Sequence, residues 1–337
     1  MKEYKVAVVI PTYNEELYIE NCIESVRKQS FPFEKMDVMI VDGRSTDATR
    51  AIVQKMSEKW PNVKLLDNPG KIQSIAFNIG VANSTAPYIV RLDAHAEYNE
   101  KYIELCINNL SANYQVGDAG GVWNIRPRRK GIIPEANAIL NRSKFGIGGA
   151  AFRVGAKAGF VDTVPFGAFP RRVVEEVGGM REDMPRAEDN EYVTRIKKAG
   201  YKIYLDPEVV CTYYSRDTFS GSVRQMYANG LSIGQLFYVD RSAIGLRHFV
   251  PFAFLMSIIV SAIGAIFWKP FLWLLLLVLG MYLLCAIAAT VVLCSKNGWK
   301  YFFILPILFF SIHCAYGWGM LVGLFKYAKQ YIKSIVR

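Results

Sequence analysis

Acidic residues are missing from the last quarter of the chain. Between Phe249 and Arg337 there is no Asp or Glu, and only seven Lys or Arg interrupt the apolar residues. Such a stretch cannot present an ordinary solvated surface. The preceding 248 residues hold 33 basic and 29 acidic groups, which is near balance. Much of the net charge of +11 therefore lies beside an apolar region, and that placement excludes a nucleic-acid-binding role. Cysteine and histidine are scarce, at six and three. No CxxC pair and no Cys/His cluster at ligand spacing occurs, which excludes a zinc framework and a disulfide scaffold and fits a reducing compartment. No GxGxxG follows the first strand-like run, so a dinucleotide fold is excluded as well. Nor does Met1–Lys5 resemble a leader segment before that run, and the soluble part is expected to stay cytoplasmic. With 52% apolar and 20% charged residues, disorder is excluded too.

Three stretches are long and apolar enough to cross a bilayer, roughly 249–268, 271–294 and 301–325. Three crossings from a cytoplasmic domain would leave the tail outside. Yet that tail, 326–337, carries Lys326, Lys329, Lys333 and Arg337, which favour the inside. Two or three spans are therefore expected, one segment being re-entrant or interfacial if the charge rule holds. A multi-pass protein of the inner membrane follows, with an amphipathic interfacial segment at 216–248.

The first 215 residues read as alternating strands and helices. Strand-like runs at 6–10, 38–41, 63–66 and 88–92 are separated by helical patterns, one opening at Glu15 behind Asn14, one near Ser45–Asp47, and one over 72–82. This order predicts an α/β domain with a parallel sheet, whose ligands gather at the carboxyl ends of the strands. Those ends carry Thr12-Tyr13, Asp42 and Asp93-Ala94-His95.

Ile10-Pro11-Thr12-Tyr13-Asn14-Glu15, followed by Val41-Asp42-Gly43-Arg44-Ser45-Thr46-Asp47, resembles the family 2 glycosyltransferases of the GT-A fold. The later motifs keep that family's order: Asn78-x-Gly80, Arg91-Leu92-Asp93-Ala94-His95-Ala96 and Glu188-Asp189. The Asp-Ala-His-Ala form and the run Val164–Phe169 resemble the ExoA-like branch, which builds bacterial exopolysaccharide. The resemblance covers roughly residues 4–235. It implies a Rossmann-like nucleotide-sugar-binding domain with a C-terminal helical membrane region.

The same resemblance implies roles. Pro11, Thr12, Tyr13, Glu15, Asp42, Lys71 and Asp93 would bind the nucleotide sugar, with Tyr13 stacking on uracil and Asp42 accepting its imide N–H. Asp93 and His95 would hold a divalent metal, Mn²⁺ or Mg²⁺. His95 stands where most relatives have a second carboxylate, and imidazole suits a transition metal better than Mg²⁺. Asp189 would be the general base, with Glu188 orienting the site, although an acidic pair opening a helix is also an ordinary dipole device. Phe166, Gly167, Arg224 and Gln225 would meet the acceptor. Arg224-Gln225 has no nearby Trp, so it departs from the Q-x-x-R-W of processive synthases, and synthesis of a long polymer is disfavoured.

The implied activity is inverting, metal-dependent transfer of one sugar, expected to be glucose from UDP-glucose, to a polyprenyl-diphosphate-linked oligosaccharide. Charging of the lipid carrier itself and a non-catalytic assembly subunit are the competing readings. The basic run from Arg126 to Lys157, opposed only by Glu135, suggests a face toward anionic headgroups or toward the acceptor's diphosphate.

Overall fold

The computed structural model describes residues 5–335; Met1–Tyr4 and Arg337 of the sequence reading lie outside the described residues. The chain divides into two units. The first comprises residues up to 124 together with 151–213, and the second comprises 125–150 and 214 onward. Residues 125–150, read above as part of the catalytic domain, thus belong with the helical region.

The first unit is built on β1 (Val6–Thr12), α1 (Ile19–Arg27), β2 (Met36–Asp42), α2 (Thr49–Lys59), β3 (Val63–Asp67), α3 (Gln73–Ala82) and β4 (Tyr88–Arg91). It continues through β5 (Glu97–Tyr98), α4 (Tyr102–Ala112) and β6 (Val116–Pro127), whose last residues pass into the second unit. There the chain forms α5 (Ile132–Asn141) and α6 (Lys144–Ile147). It returns with α7 (Ala151–Val154), β7 (Gly159–Val161), β8 (Ala168–Pro170), α8 (Arg171–Val177), α9 (Glu188–Lys198) and β9 (Lys202–Ser215).

Among the described residues nine strands form one sheet in the order β3-β2-β1-β4-β8-β6-β9-β5, with β7 also on β9. β3, β2, β1 and β4 are parallel, as expected. β8 then pairs antiparallel to β4, and β5 and β7 antiparallel to β9, so the sheet is mixed. Two apolar layers cover it. One includes Ile19, Ile23, Val53 and Ile103, and the other Phe77, Val173, Tyr192 and Ile196. All seven residues of β2 are buried, the signature of a strand covered on both faces.

Two local expectations are corrected. Pro11 does not end β1. It sits opposite Val41, beyond the point where β4 has finished pairing at Arg91, so its missing N–H breaks no ladder there. Asn14 does not cap α1, which begins at Ile19. It lies at φ 54°, where its side chain accepts the Thr46 N–H.

The second unit adds α10 (Phe219–Val239), α11 (Val250–Phe267), α12 (Lys269–Asn297) and α13 (Ile304–Ile335). The last three are long and apolar enough to cross a membrane by length and composition. Lys269-Pro270 forms the first turn of α12, where proline is tolerated. α10 and α13 pack through small residues. A methyl added to Gly230 would lie 2.0 Å from the Tyr316 carbonyl oxygen, and one on Gly319 2.1 Å from that of Tyr227.

Candidate active site

Three parallel strands end in register at Thr12, Asp42 and Asp67. Asp42 is fully buried. Its Oδ1 accepts the Ser45 hydroxyl at 2.5 Å, while Oδ2 accepts the Ser45 N–H at 2.9 Å and the Arg50 guanidinium at 2.7 Å. Arg50 also reaches Asp67 at 3.1 Å, so one cation ties the two strand ends. Above them Tyr13 is 47% exposed. Its ring lies against Gly43, where an added methyl would come within 3.3 Å of it, and the Lys71 ammonium stands 5.6 Å from the ring centre. Tyr13, Asp42 and Lys71 are thus brought together, with an open aromatic face beside a buried carboxylate and a cation.

The loops after β1 and β2 are zipped to one another. The Asn14 N–H donates to the Ser45 hydroxyl, the Glu15 N–H to Thr49 Oγ1, and the Ala48 N–H to Glu16. This leaves the Glu15 side chain to reach His95, with Oε1 2.9 Å from Nδ1. Glu15, expected above among the nucleotide-sugar ligands, is therefore a partner of the imidazole.

Arg91 lies beyond, at the end of β4, with its side chain 11% exposed. Its guanidinium is 3.7 Å from Asp93 Oδ1 and 3.7 Å from Glu188 Oε1, and it donates to Gln73 at 3.1 Å. Burial works against its charge, but Asp93, Glu188 and Asp189 together raise its pKa further. Asp93 Oδ1 is buried and accepts no hydrogen bond. Glu188 is buried at the start of α9, and desolvation, aided by the charge of Asp189, pushes its pKa up to about 7 against the pull of Arg91. Asp189 is exposed beside it.

Asp118, on β6, is also buried, and burial raises its pKa well above the usual carboxylate range. A methyl on Gly167 would come within 2.2 Å of its Oδ1. Around one guanidinium, then, sit four carboxyl groups. Sequence reasoning missed Arg91 and Asp118 as participants. The available signal was a charged residue inside each of two otherwise apolar strands, Tyr88–Arg91 and Val116–Val122.

Phe166 is turned into the core. Its ring packs on Tyr98 and Trp123, and its carbonyl accepts the Tyr102 hydroxyl at 2.9 Å. What this segment can offer a ligand is the backbone at Gly167. Arg224 and Gln225 lie on α10 in the second unit, the former exposed and the latter half-buried.

Among the described residues, five that are not glycine adopt left-handed backbone: Asn14, Arg44, Lys71, Phe166 and Ala187. Each falls in or beside one of the motifs above. Such residues cost about 1–3 kcal/mol each and persist where surrounding structure overrides them. Asn14 and Arg44 follow the ends of β1 and β2, Phe166 precedes β8 and Ala187 caps α9.

Residues 7–178 match the model of glycosyl transferase family 2, and 156–322 match that of glycosyl transferase family group 2. The succinoglycan biosynthesis protein ExoA of Rhizobium meliloti is 33% identical over 73% of this chain and 74% of its own. The chain belongs to glycosyltransferase family 2. A second relative extends further along it. A Methanococcus voltae dolichyl N-acetyl-alpha-D-glucosaminyl phosphate 3-beta-D-2,3-diacetamido-2,3-dideoxy-beta-D-glucuronosyltransferase is 25% identical over 95% of this chain and 97% of its own. Among solved structures, the Pyrobaculum calidifontis mannosyltransferase PcManGT, in complex with GDP-Man and Mn²⁺, superposes with a TM-score of 0.59 at 22% identity. That match covers 96% of this glycosyltransferase and 87% of PcManGT. It shows the GT-A fold.

Proposed function

We propose that this glycosyltransferase moves a single sugar from a nucleotide diphosphate sugar, UDP-glucose being the expected donor, to a lipid-diphosphate-linked saccharide, with inversion and with a divalent cation. The observation that carries this reading is Arg91. One buried cation stands 3.7 Å from both Asp93 and Glu188, so the carboxylate suited to the diphosphate end and the pair suited to the acceptor end share one pocket.

The donor set fits a divalent metal. Asp93 Oδ1 is buried with no hydrogen-bond donor, and the carboxyl groups around Arg91 outnumber it. Asp93 and His95 would hold the ion, the imidazole positioned by Glu15 at Nδ1. No group of three or more His, Cys, Asp or Glu side chains is placed to hold a metal ion by itself among the described residues, so the remaining ligands would come from substrate and water. Bound there, the ion supplies Lewis-acid neutralisation of a departing diphosphate.

The protein's own groups do the rest. Tyr13 stacks on the base and Lys71 approaches the phosphates. The exposed Asp189 carboxylate takes the proton of the acceptor hydroxyl as its oxygen bonds to the anomeric carbon and the bond to the β-phosphate oxygen breaks. The nucleoside diphosphate leaves with that electron pair, and one displacement inverts the centre.

A lipid-linked acceptor is supported by the name of the Methanococcus relative, which matches nearly the whole chain, and a role in polysaccharide biosynthesis by that of ExoA. The exposed Arg126, Arg128, Arg129, Lys130, Arg142 and Lys144 suit anionic headgroups or a lipid diphosphate.

The test is release of nucleoside diphosphate from a panel of nucleotide sugars by the detergent-solubilised full chain, with membrane lipid extract as acceptor and Mn²⁺, Mg²⁺ or EDTA. One donor should turn over, and EDTA should stop it. Turnover of no donor would sink the enzymatic reading.

A further inference from the structure

The three long apolar helices differ in how they meet their surroundings. Within its apolar stretch α13 is 39% buried, against 11% for α11 and 6% for α12. The exposed large apolar residues of α12, from Leu272 to Val292, spread over an arc of about 200° at 100° per residue. Those of α13 do not. Between its start and Lys326, Ile307, Phe310, Trp318 and Phe325 fall within about 80°, a stripe that only Tyr331, one turn beyond, departs from. The first pattern is that of a helix surrounded by lipid. The second is that of a helix covered by protein on all but one side, so its surroundings depend on what covers it.

What covers the rest of α13 carries charge along much of its length. At its start Glu135 of α5 binds Lys300 at 2.7 Å and also accepts the Tyr301 hydroxyl. Ala136, Ile139 and Leu140 of α5 then share a core with Leu305, Phe309 and Ile312. His313 Nε2 lies 3.0 Å from the Gly146 carbonyl oxygen of α6. This covering segment exposes Arg142 and Lys144.

Next along is α10, which runs in the same direction as α13. Gly319 packs on Tyr227, Gly323 on Leu231, and the Tyr238 and Tyr331 rings are 5.4 Å apart. The exposed Arg224 therefore comes level with Tyr316. From there to Lys326 is ten residues, about 15 Å of helix, or half of a hydrocarbon core of about 30 Å.

The geometry points to a membrane hairpin made of α11 and α12 alone, with α13 lying in the interface on the side from which the chain enters at Tyr214. Gly264 supports the hairpin: a methyl there would lie 2.5 Å from the Phe271 ring, so the two arms pack closely near the tip. At the tip Phe267, Trp268 and Trp273 are exposed, the aromatic belt of the far interface. Charge agrees. In this arrangement Arg241, Arg247, Lys296, Lys300, Lys326 and Lys329 all stay on the near side, and Lys269 alone lies on the far side. A third crossing would move the basic tail across as well.

The test uses the full-length chain with an epitope tag at each end, in sealed membrane vesicles treated with protease. Both tags should be lost together in vesicles of one orientation and kept together in the other. A third tag inserted beside Lys269 should behave oppositely to both. End tags on opposite faces would overturn the proposal, since they require an odd number of crossings. A tip tag that follows the end tags would overturn it too, because the hairpin would then not cross. Retained nucleotide-sugar turnover in the tagged chain, beside the untagged one, checks that the tags leave the protein folded.

Discussion

The sheet unit and the helical unit treat polar groups in opposite ways. The sheet unit buries Asp37, Asp42, Asp118, Glu188 and Glu191, and most are offset by a specific cation: Lys64, Arg50, Arg91 and Arg195. It also contains all five non-glycine left-handed residues. The helical unit has no carboxylate after Asp240 and is held by close approach of small residues such as Gly230, Gly234 and Gly319. The first arrangement takes charge out of water and has to offset it with a specific partner. The second places no carboxylate in its apolar helices, keeps their lysines near the helix ends, and relies largely on van der Waals contact, which lipid does not weaken.

The strongest way to break this comparison is at Asp189. Asp189→Asn removes the exposed carboxylate without disturbing a packed interior, so transfer should fall by about 10²–10⁴-fold while donor binding survives. A steady-state assay beside a donor-binding titration checks it, and a fully active variant would remove the base assignment.

Glu188 separates the cost of a buried charge from its use. In the folded protein its carboxyl keeps its proton up to about pH 7, whereas its ordinary value is 4.5. The raised pKa means that stability from the protonated form is complete below about pH 4.5 and is lost as pH rises to about 7. Glu188→Gln imitates the protonated form. It should be more stable than the wild type by up to about 3 kcal/mol at pH 8, from 1.36 kcal/mol per unit, with the gain gone near pH 4.5. Thermal unfolding in detergent across that range reads the difference, and a gain independent of pH would contradict the burial argument.

On the other side of the comparison, Gly230→Val places methyl groups where the Tyr316 carbonyl already is. Overpacking of this kind costs about 1–3 kcal/mol, seen as a lower melting temperature. Gly280→Ala, which meets nothing within 4 Å, should leave it unchanged. Equal behaviour of the two variants would mean that glycine packing is not what holds the helices.

Tyr13→Ala gives the smallest effect. Loss of a base-stacking ring costs about 1–3 kcal/mol, and a ring 47% exposed belongs near the lower end. The loss should appear in KM for the nucleotide sugar, with kcat nearly preserved.

Much of this was legible in advance. The parallel strands, α3 and the start of α9 were readable because apolar periodicity and turn residues are local properties of the chain. The apolar helices were readable because composition alone determines whether a segment tolerates lipid. The family motifs likewise named Asp42, Asp93 and Asp189 by type and order.

What only the tertiary structure decided is which groups act on one another. Arg91 and Glu188 are 97 positions apart in the chain and meet because the start of α9 comes against the carboxyl end of β4. Glu15 finds His95, and Asp118 comes against Gly167, through pairing of distant strands, parallel between β1 and β4 and antiparallel between β6 and β8. Nor could hydropathy distinguish α13 from α12. The difference lies in what packs beside each helix, and that is a property of the folded chain.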